Sequence, residues 1–210
     1  MICPDDHLRP LVLERLMLYH RFLSERGGRR ALTTVTSGQM AEALDVDPTQ
    51  VRKDLGSIGL RGRGRVGFNA AEVVSTIRQV LGFDRTHLAV LVGVGHLGGA
   101  LIAYRGFARY GLRIVAAFDS DASKTGQELA GCPIRHTRGM TAFIKKHQIH
   151  LAVLSTPADV AQRVADRLVA AGIRAIWNFA PTRLTVPPGI CVRDEHISLG
   201  LSQLAYRLSD

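Results

Sequence analysis

The feature that most constrains this chain is the nearly unbroken apolar run His87–Val92. It leads directly into the loop Gly93-Val94-Gly95-His96-Leu97-Gly98, and Asp119 closes the next apolar run. Such a run reads as a strand covered on both faces within a parallel sheet. A GxGxxG loop alone is weak evidence, because glycine is common in loops. Between a buried strand and a helix it becomes the phosphate-cradling turn of a doubly wound sheet, and an acid ending the next strand is placed to accept from both hydroxyls of a ribose.

Each glycine then has its own task. Gly93 allows the tight turn, Gly95 lets a pyrophosphate approach the backbone, and Gly98 lets helix and strand pack closely. Asp119 repels a 2′-phosphate, which favours NAD(H) over NADP(H). Another nucleotide such as coenzyme A, or an empty scaffold, is the alternative. Later strand ends line the same crevice, which nominates Ser155, Thr156 and Pro157, then Asn178 and Phe179. Phe179 reads equally well as a core aromatic, and His96 as a solvent-facing loop residue. None of the eight histidines sits in an HExxH pattern and no CxxC occurs, so no metal site is expected.

Strand-like and helix-like segments alternate after residue 85. Strands are expected at His87–Val92, Arg113–Phe118, Pro133–Arg135, His150–Leu154, Arg174–Trp177 and Ile190–Val192, with a helix from Leu97 to about Tyr110 following the loop. The fold class is α/β: an N-terminal winged helix-turn-helix over 1–84, a Rossmann doubly wound parallel sheet over 85–192, and a C-terminal helix over 193–210. That last segment sets Ile197, Leu201, Leu204 and Leu208 on one face.

In the first part, Val12, Leu16, Tyr19 and Leu23 form a helical stripe from about Leu8 to Arg26, ended by Gly27-Gly28. Thr36-Ser37-Gly38-Gln39 reads as a capping box, and Asp47-Pro48-Thr49-Gln50 as an N-cap with proline in the first helical position. Val51, Leu55 and Ile58 share the inner face of that helix. Gln50, Arg52, Lys53 and Ser57 are left for solvent or a DNA groove, and Arg61, Arg63 and Arg65 lie on a glycine-spaced wing. A solvated charged helix is the ordinary fate of Arg-Lys-Asp. Against it, three arginines so close together repel one another unless an anion neutralises them.

The net charge of +9 suits a polyanionic partner, yet residues 1–84 carry 12 Lys/Arg against 10 Asp/Glu and residues 85–210 carry 15 against 8. Local clustering around Gln50–Val66, rather than bulk charge, marks the DNA surface. No apolar run approaches the ~20 residues of a membrane span. Asp5 and Asp6 break a signal peptide's order, so a cytoplasmic location is expected. Cys3, Cys132 and Cys191, odd in number and scattered, argue against a disulfide framework. Nor is an enzyme expected, because no further domain walls a substrate and His136, His150 and His196 have no carboxylate orienter in sequence.

The chain resembles the redox-sensing transcriptional repressor family Rex over nearly its whole length. The resemblance rests on Gln50-Val51-Arg52-Lys53-Asp54-Leu55, Gly59 with Val66-Gly67-Phe68, the Gly93–Gly98 loop with Tyr104 and Gly106-Phe107, and Asn178-Phe179-Ala180-Pro181. It implies a homodimer in which each C-terminal helix is swapped onto the partner and Ile197 packs near the nicotinamide. It also implies binding of palindromic operator DNA at low NADH/NAD⁺ ratio and release by NADH. A DNA-binding dimer with an NADH-insensitive structural nucleotide, and an NAD-dependent oxidoreductase, are the alternatives. Family members pair an Asp of the swapped helix with an Arg of the first helix in one state and with a Tyr near the loop in the other. Arg21 and Tyr104 match, whereas His196 stands at the Asp position, with Asp194 or Glu195 as substitutes. Gly64-Arg65 inverts the usual Arg-Gly of the wing, and Gly200 weakens the last helix by about 1 kcal/mol relative to Ala.

Overall fold

A computed structural model describes residues 8–26 and 33–208, apart from the side chains of Ile197, Leu199 and Gln203. Gly27-Gly28, expected to end the first helix, lies outside the described residues, as do Cys3, Asp5 and Asp6. The described residues fall into two compact units that part between Arg85 and Thr86.

The first unit is helical. α1 (Pro10–Arg26) packs its Leu16 and Tyr19 against Met40 of α2 (Ser37–Leu44), Val51 and Leu55 of α3 (Pro48–Ser57), and Val73 and Ile77 of α4 (Ala70–Val80). The capping box forms: Thr36 Oγ1 accepts the Gln39 N–H at 3.1 Å and Gln39 Oε1 accepts the Thr36 N–H at 2.9 Å. Asp47 caps α3 by accepting from Thr49 N at 2.7 Å and Gln50 N at 3.1 Å. β1 (Thr34–Val35) pairs antiparallel with β2 (Phe68–Asn69), and the wing between α3 and β2 closes on the Arg63–Gly67 bridge.

The second unit is one sheet in the order β5-β6-β4-β3-β7-β8-β9, built from β3 (His87–Val92), β4 (Leu112–Asp119), β5 (Glu128–Leu129), β6 (Cys132–His136), β7 (Leu151–Leu154), β8 (Ala175–Asn178) and β9 (Cys191–Asp194). α5 (His96–Ala103) covers one face, over Leu91, Val94, Ala117 and Val153; α6 (Met140–His147) and α7 (Ala158–Ala171) cover the other, over Val90, Val92, Ala116 and Phe118. Both faces of the carboxyl-terminal halves of β3 and β4 are therefore dry, which explains the apolar runs there. α8 (Ile197–Arg207) is the last element of the second unit.

Three expectations need correction. The sheet has seven strands rather than six: β5 folds back antiparallel on β6 through Ala130 and Gly131, both at positive φ (50° and 82°). That is the two-residue hairpin geometry usually marked by Asn-Gly, and Ala-Gly hides it. The helix after the Gly-rich loop does not run to Tyr110. It ends at Ala103, Tyr104 turns extended, and a 3₁₀ segment, Arg105–Tyr110, follows. The Tyr104 ring folds back onto Gly106, where any Cβ would strike it. Among the cysteines, Cys132 is a buried free thiol, whereas Cys191 is disulfide-bonded, a link that the odd and scattered cysteines had argued against. Among the described residues no helix is long and apolar enough to cross a membrane and no His/Cys/Asp/Glu cluster could hold a metal ion.

Candidate ligand crevice and nucleic-acid surface

The carboxyl ends of β3, β4 and β7 open onto a cavity of about 910 Å³ lined by Gly93, Gly95, His96, Leu97, Asp119, Ser155, Thr156, Pro157 and Phe179, and further by Lys124, Thr137, Val160, Arg163, Val164, Arg167 and Pro181. Its volume lies in the range of small-molecule sites, roughly 300–1,000 Å³. The three loop glycines differ in kind. Gly93 sits at φ +98°, and a Cβ there would come within 2.6 Å of the Ser155 carbonyl; a Cβ on Gly98 would overlap the Gly93 carbonyl; at Gly95 nothing lies within 4 Å. Gly93 and Gly98 are thus demanded by the protein's own backbone. Gly95 is demanded by nothing in the protein, and it caps α5 with no side-chain hydrogen bond. The free N–H groups of a helix start favour an anion.

Asp119 is braced from within. Its Oδ2 accepts the Val94 N–H at 2.8 Å and the Lys124 ammonium at 3.3 Å, and its Oδ1 accepts the Asp121 N–H at 2.9 Å. Burial opposes ionisation, but these three donors outweigh it and hold the carboxyl below the usual range. With about four acceptor positions on a carboxylate, one remains for a ligand hydroxyl. Ser155 turns its hydroxyl inward and donates to the Gly93 carbonyl at 2.8 Å. Thr156 is the opposite case: its Oγ1 is buried on the crevice wall with no hydrogen-bond partner in the protein. An unsatisfied buried hydroxyl costs about 1–3 kcal/mol, which a polar ligand group would recover.

Not every nominated residue faces the cavity. Val94 is buried in the core on the α5 side, and Gly98 acts through packing. Asn178 is fully buried and saturated: its amide donates to Thr182 O (2.9 Å) and Asp194 Oδ1 (2.8 Å), and its oxygen accepts from Ala180 N (3.1 Å). It builds the turn after β8 rather than the wall. The Ile197 side chain lies outside the described residues. Lys124, Arg163 and Arg167 escape the motif because no strand-end rule points to them; position within α7 brings the arginines to the rim.

Of the remaining nominated positions, Arg21 is exposed and pairs with Glu25 at 3.1 Å. Tyr104 is exposed with its ring 4.8 Å from Phe107. His196 is the exposed N-cap of α8 and makes no side-chain cap bond. Its acidic neighbours are occupied, Asp194 by Asn178 at 2.8 Å and Glu195 by the Trp177 indole N–H at 3.0 Å.

In the first unit a groove of about 620 Å³ runs between α3 and the wing, lined by Thr36, Ser37, Arg52, Gly56, Arg61, Arg63, Arg65 and Phe68, with no acid in its lining. Arg52 lies along it, donating to Ser37 Oγ and Thr49 Oγ1, each at 3.1 Å. Lys53 and Ser57 are exposed on the outer side of α3. Thr36, Ser37 and Gly56 were not evident as groove residues because neither charge nor spacing singles them out. The sequence also conceals Asp54: it is 2% exposed, gripped by Arg15 (Nε–Oδ2 2.6 Å, Nη2–Oδ1 2.8 Å), by the Tyr19 hydroxyl (2.9 Å) and by the Gln50 amide (2.7 Å). Burial works against its charge and also pushes the Tyr19 phenol up, but the donors hold the Asp54 carboxyl low.

The chain is similar to known proteins along its length. A CoA binding domain family matches residues 84–182, and a DNA-binding protein N-terminus family matches residues 10–56. A redox-sensing transcriptional repressor Rex of Streptomyces avermitilis is 41% identical over 192 residues, 91% of this chain and 76% of that relative. One of Desulforamulus reducens is 36% identical over 94% of this chain and 93% of its own. The crystal structure of RSP in complex with β-NAD⁺ and operator DNA superposes with a TM-score of 0.92 at 32% identity, covering 97% of this chain and 94% of that one. RSP in complex with β-NADH gives 0.89 at the same identity, covering 97% of this chain and 95% of that one.

Proposed function

This chain belongs to the Rex family of redox-sensing transcriptional repressors, and from that premise we propose that it represses transcription as a homodimer that binds operator DNA and lets go when NADH occupies the crevice. The observation that carries this reading is Gly95: the Gly-rich loop keeps open space at that position, beside a helix start and a buried hydroxyl without a partner. The loop and α5 would take the diphosphate, Asp119 the adenosine ribose, Thr156 a polar group, and Phe179 the nicotinamide ring. A bound nicotinamide would supply only its oxidation state; no bond is made or broken, so the chain is a regulator and not an enzyme.

On the DNA side, α3 would enter the major groove with Gln50, Arg52, Lys53 and Ser57, and Arg61, Arg63 and Arg65 of the wing would meet phosphates or the minor groove. The dimer is supported by α8, where Leu201 is 68% and Leu204 63% exposed, with Leu208 just beyond at 86%. Such a face is uncovered within one chain, and the swapped helix with Ile197 toward the partner's crevice would cover it. Arg21, Tyr104 and His196 form the proposed switch. A cytoplasmic site of action goes with a DNA partner.

The test is a fluorescence titration of a labelled duplex, recovered from a randomised pool by the full-length chain, with NADH and with NAD⁺. NADH should weaken DNA binding far more than NAD⁺ does. Operator affinity unchanged by NADH would leave a structural nucleotide, and substrate-dependent NADH turnover without DNA affinity would make the chain an oxidoreductase.

A further inference from the structure

Gln50 holds its amide in one orientation, and that orientation is a statement about a base. Asp54 is buried and already accepts from Arg15 and Tyr19, so it is a carboxylate with lone pairs only. The Gln50 group 2.7 Å from its Oδ1 must therefore be the amide nitrogen, because the flipped amide would set oxygen against oxygen. One N–H is used on Asp54. What remains is Oε1 and the second N–H of the same planar amide, an acceptor and a donor.

Gln50 sits in the first turn of α3, one turn before Asp54, and lines an open groove of about 470 Å³ with Arg9, Arg15, Lys53 and Ser57. Helix-turn-helix proteins bring the N-terminal turn of the second helix to the base edges. In the major groove adenine offers a donor and an acceptor side by side, N6–H and N7. Guanine offers two acceptors, cytosine a donor, and thymine an acceptor beside a methyl group. Adenine alone satisfies both free groups of Gln50. A purely structural role, propping Asp54, would use the amide nitrogen and leave Oε1 without a purpose. An unbraced glutamine would also have to give up its rotamers on meeting DNA, whereas the Asp54 bond fixes them beforehand.

We infer that Gln50, oriented by Asp54, reads an adenine in each half-site of the operator. The inference rests on the DNA-binding reading above, and the experiment separates the two. A duplex recovered from a randomised pool is resynthesised with single adenines replaced by 7-deazaadenine, which lacks N7, or by purine, which lacks the 6-amino group. Affinities are measured for the full-length chain and for Gln50→Ala, which suits the helix propensity of α3 and, though it removes one donor from Asp54, leaves that acid its Arg15 and Tyr19 partners. At one adenine per half-site both analogues should weaken wild-type binding, together by about 5- to 150-fold. Gln50→Ala should bind the parent duplex more weakly and no longer distinguish the analogues at that position. Failure to recover any duplex overturns the DNA-binding reading itself. Tight binding in which both analogues are silent everywhere, or are discriminated equally by Gln50→Ala, leaves that reading standing and overturns the role of Gln50. So does a Gln50-dependent position occupied by guanine.

Discussion

Asp119 accepts the backbone N–H of Val94 at 2.8 Å, so the acid at the end of β4 fixes the Gly-rich loop before any ligand arrives. An Asn there keeps one acceptor oxygen and sets an NH₂ against one of the N–H groups now served. Asp119→Asn should cost about 1–3 kcal/mol of stability. It should also weaken NADH binding in calorimetry more than it weakens DNA binding in NADH-free titrations. Equal loss in both would mean that the carboxylate acts only through folding.

The glycines separate packing from ligand contact. Gly98→Ala forces a methyl into the Gly93 carbonyl and should lower the melting temperature, while Gly95→Ala meets nothing within 4 Å and should melt as wild type does. If a diphosphate approaches Gly95, that silent substitution should nonetheless abolish NADH binding. Calorimetry on a Gly95→Ala protein of normal stability that still binds NADH tightly would remove the diphosphate from the loop.

Arg15 and Asp54 form a bidentate pair whose acid is 2% exposed and whose cation side chain is 23% exposed. Removing one partner of a buried pair costs about 3–5 kcal/mol, and partial exposure of Arg15 places Arg15→Ala at the lower end. The pH dependence has two windows. His20 is buried and lowered, by burial first and then by Arg78, so the unfolded chain protonates before the folded one does. Stability is therefore full above about pH 6.5 and declines as acid is added. Asp54 is also lowered, so its contribution holds above about pH 4 and is lost below. Urea unfolding against pH should show both slopes, with Arg15→Ala flattening only the more acidic one.

Much of the fold is legible because periodicity and caps are local signals. The capping box at Thr36, the Asp47 cap and the apolar strands of the parallel sheet each announce themselves within a few residues. What escapes the sequence is nonlocal or disguised. Asp54 looks like one charge in a solvated run, and its two main partners stand 39 and 35 residues away. Asn178 stands at a strand end, where ligand contacts are expected, but Thr182 and Asp194 consume its amide. The break at Tyr104 depends on its own ring lying over Gly106, which no propensity scale anticipates. In the crevice the motif marks the loop and the acid, whereas the Thr156 hydroxyl is distinguished from that of Ser155 only by which of them finds a partner.

Arg65 occupies the left-handed region at φ 63°, beside Gly64, which does not. An L residue there costs roughly 1–2 kcal/mol that glycine avoids. Arg65→Gly should raise the unfolding free energy by up to about that amount. If Arg65 meets a phosphate, the same change should weaken DNA binding and reduce the slope of log affinity against log salt by about 1. A more stable variant with an unchanged salt slope would take Arg65 off the DNA.

Trp177, the one tryptophan of the chain, reports on the crevice from behind its wall. Its ring lies 4.9 Å from Phe179, which lines the cavity, and its indole N–H donates to Glu195 at 3.0 Å, just ahead of α8. Reduced nicotinamide absorbs where indole emits, so NADH bound beside Phe179 should quench this emission, while NAD⁺, which does not absorb there, should leave it nearly unchanged. Trp177→Phe keeps a ring against Phe179 but strips Glu195 of a donor, at about 2 kcal/mol of stability. It should abolish the optical signal and leave the calorimetric affinity for NADH close to that of wild type. Quenching of equal depth by both forms would instead mean that Trp177 senses a rearrangement of the β8 end common to both, and that the nicotinamide lies away from Phe179.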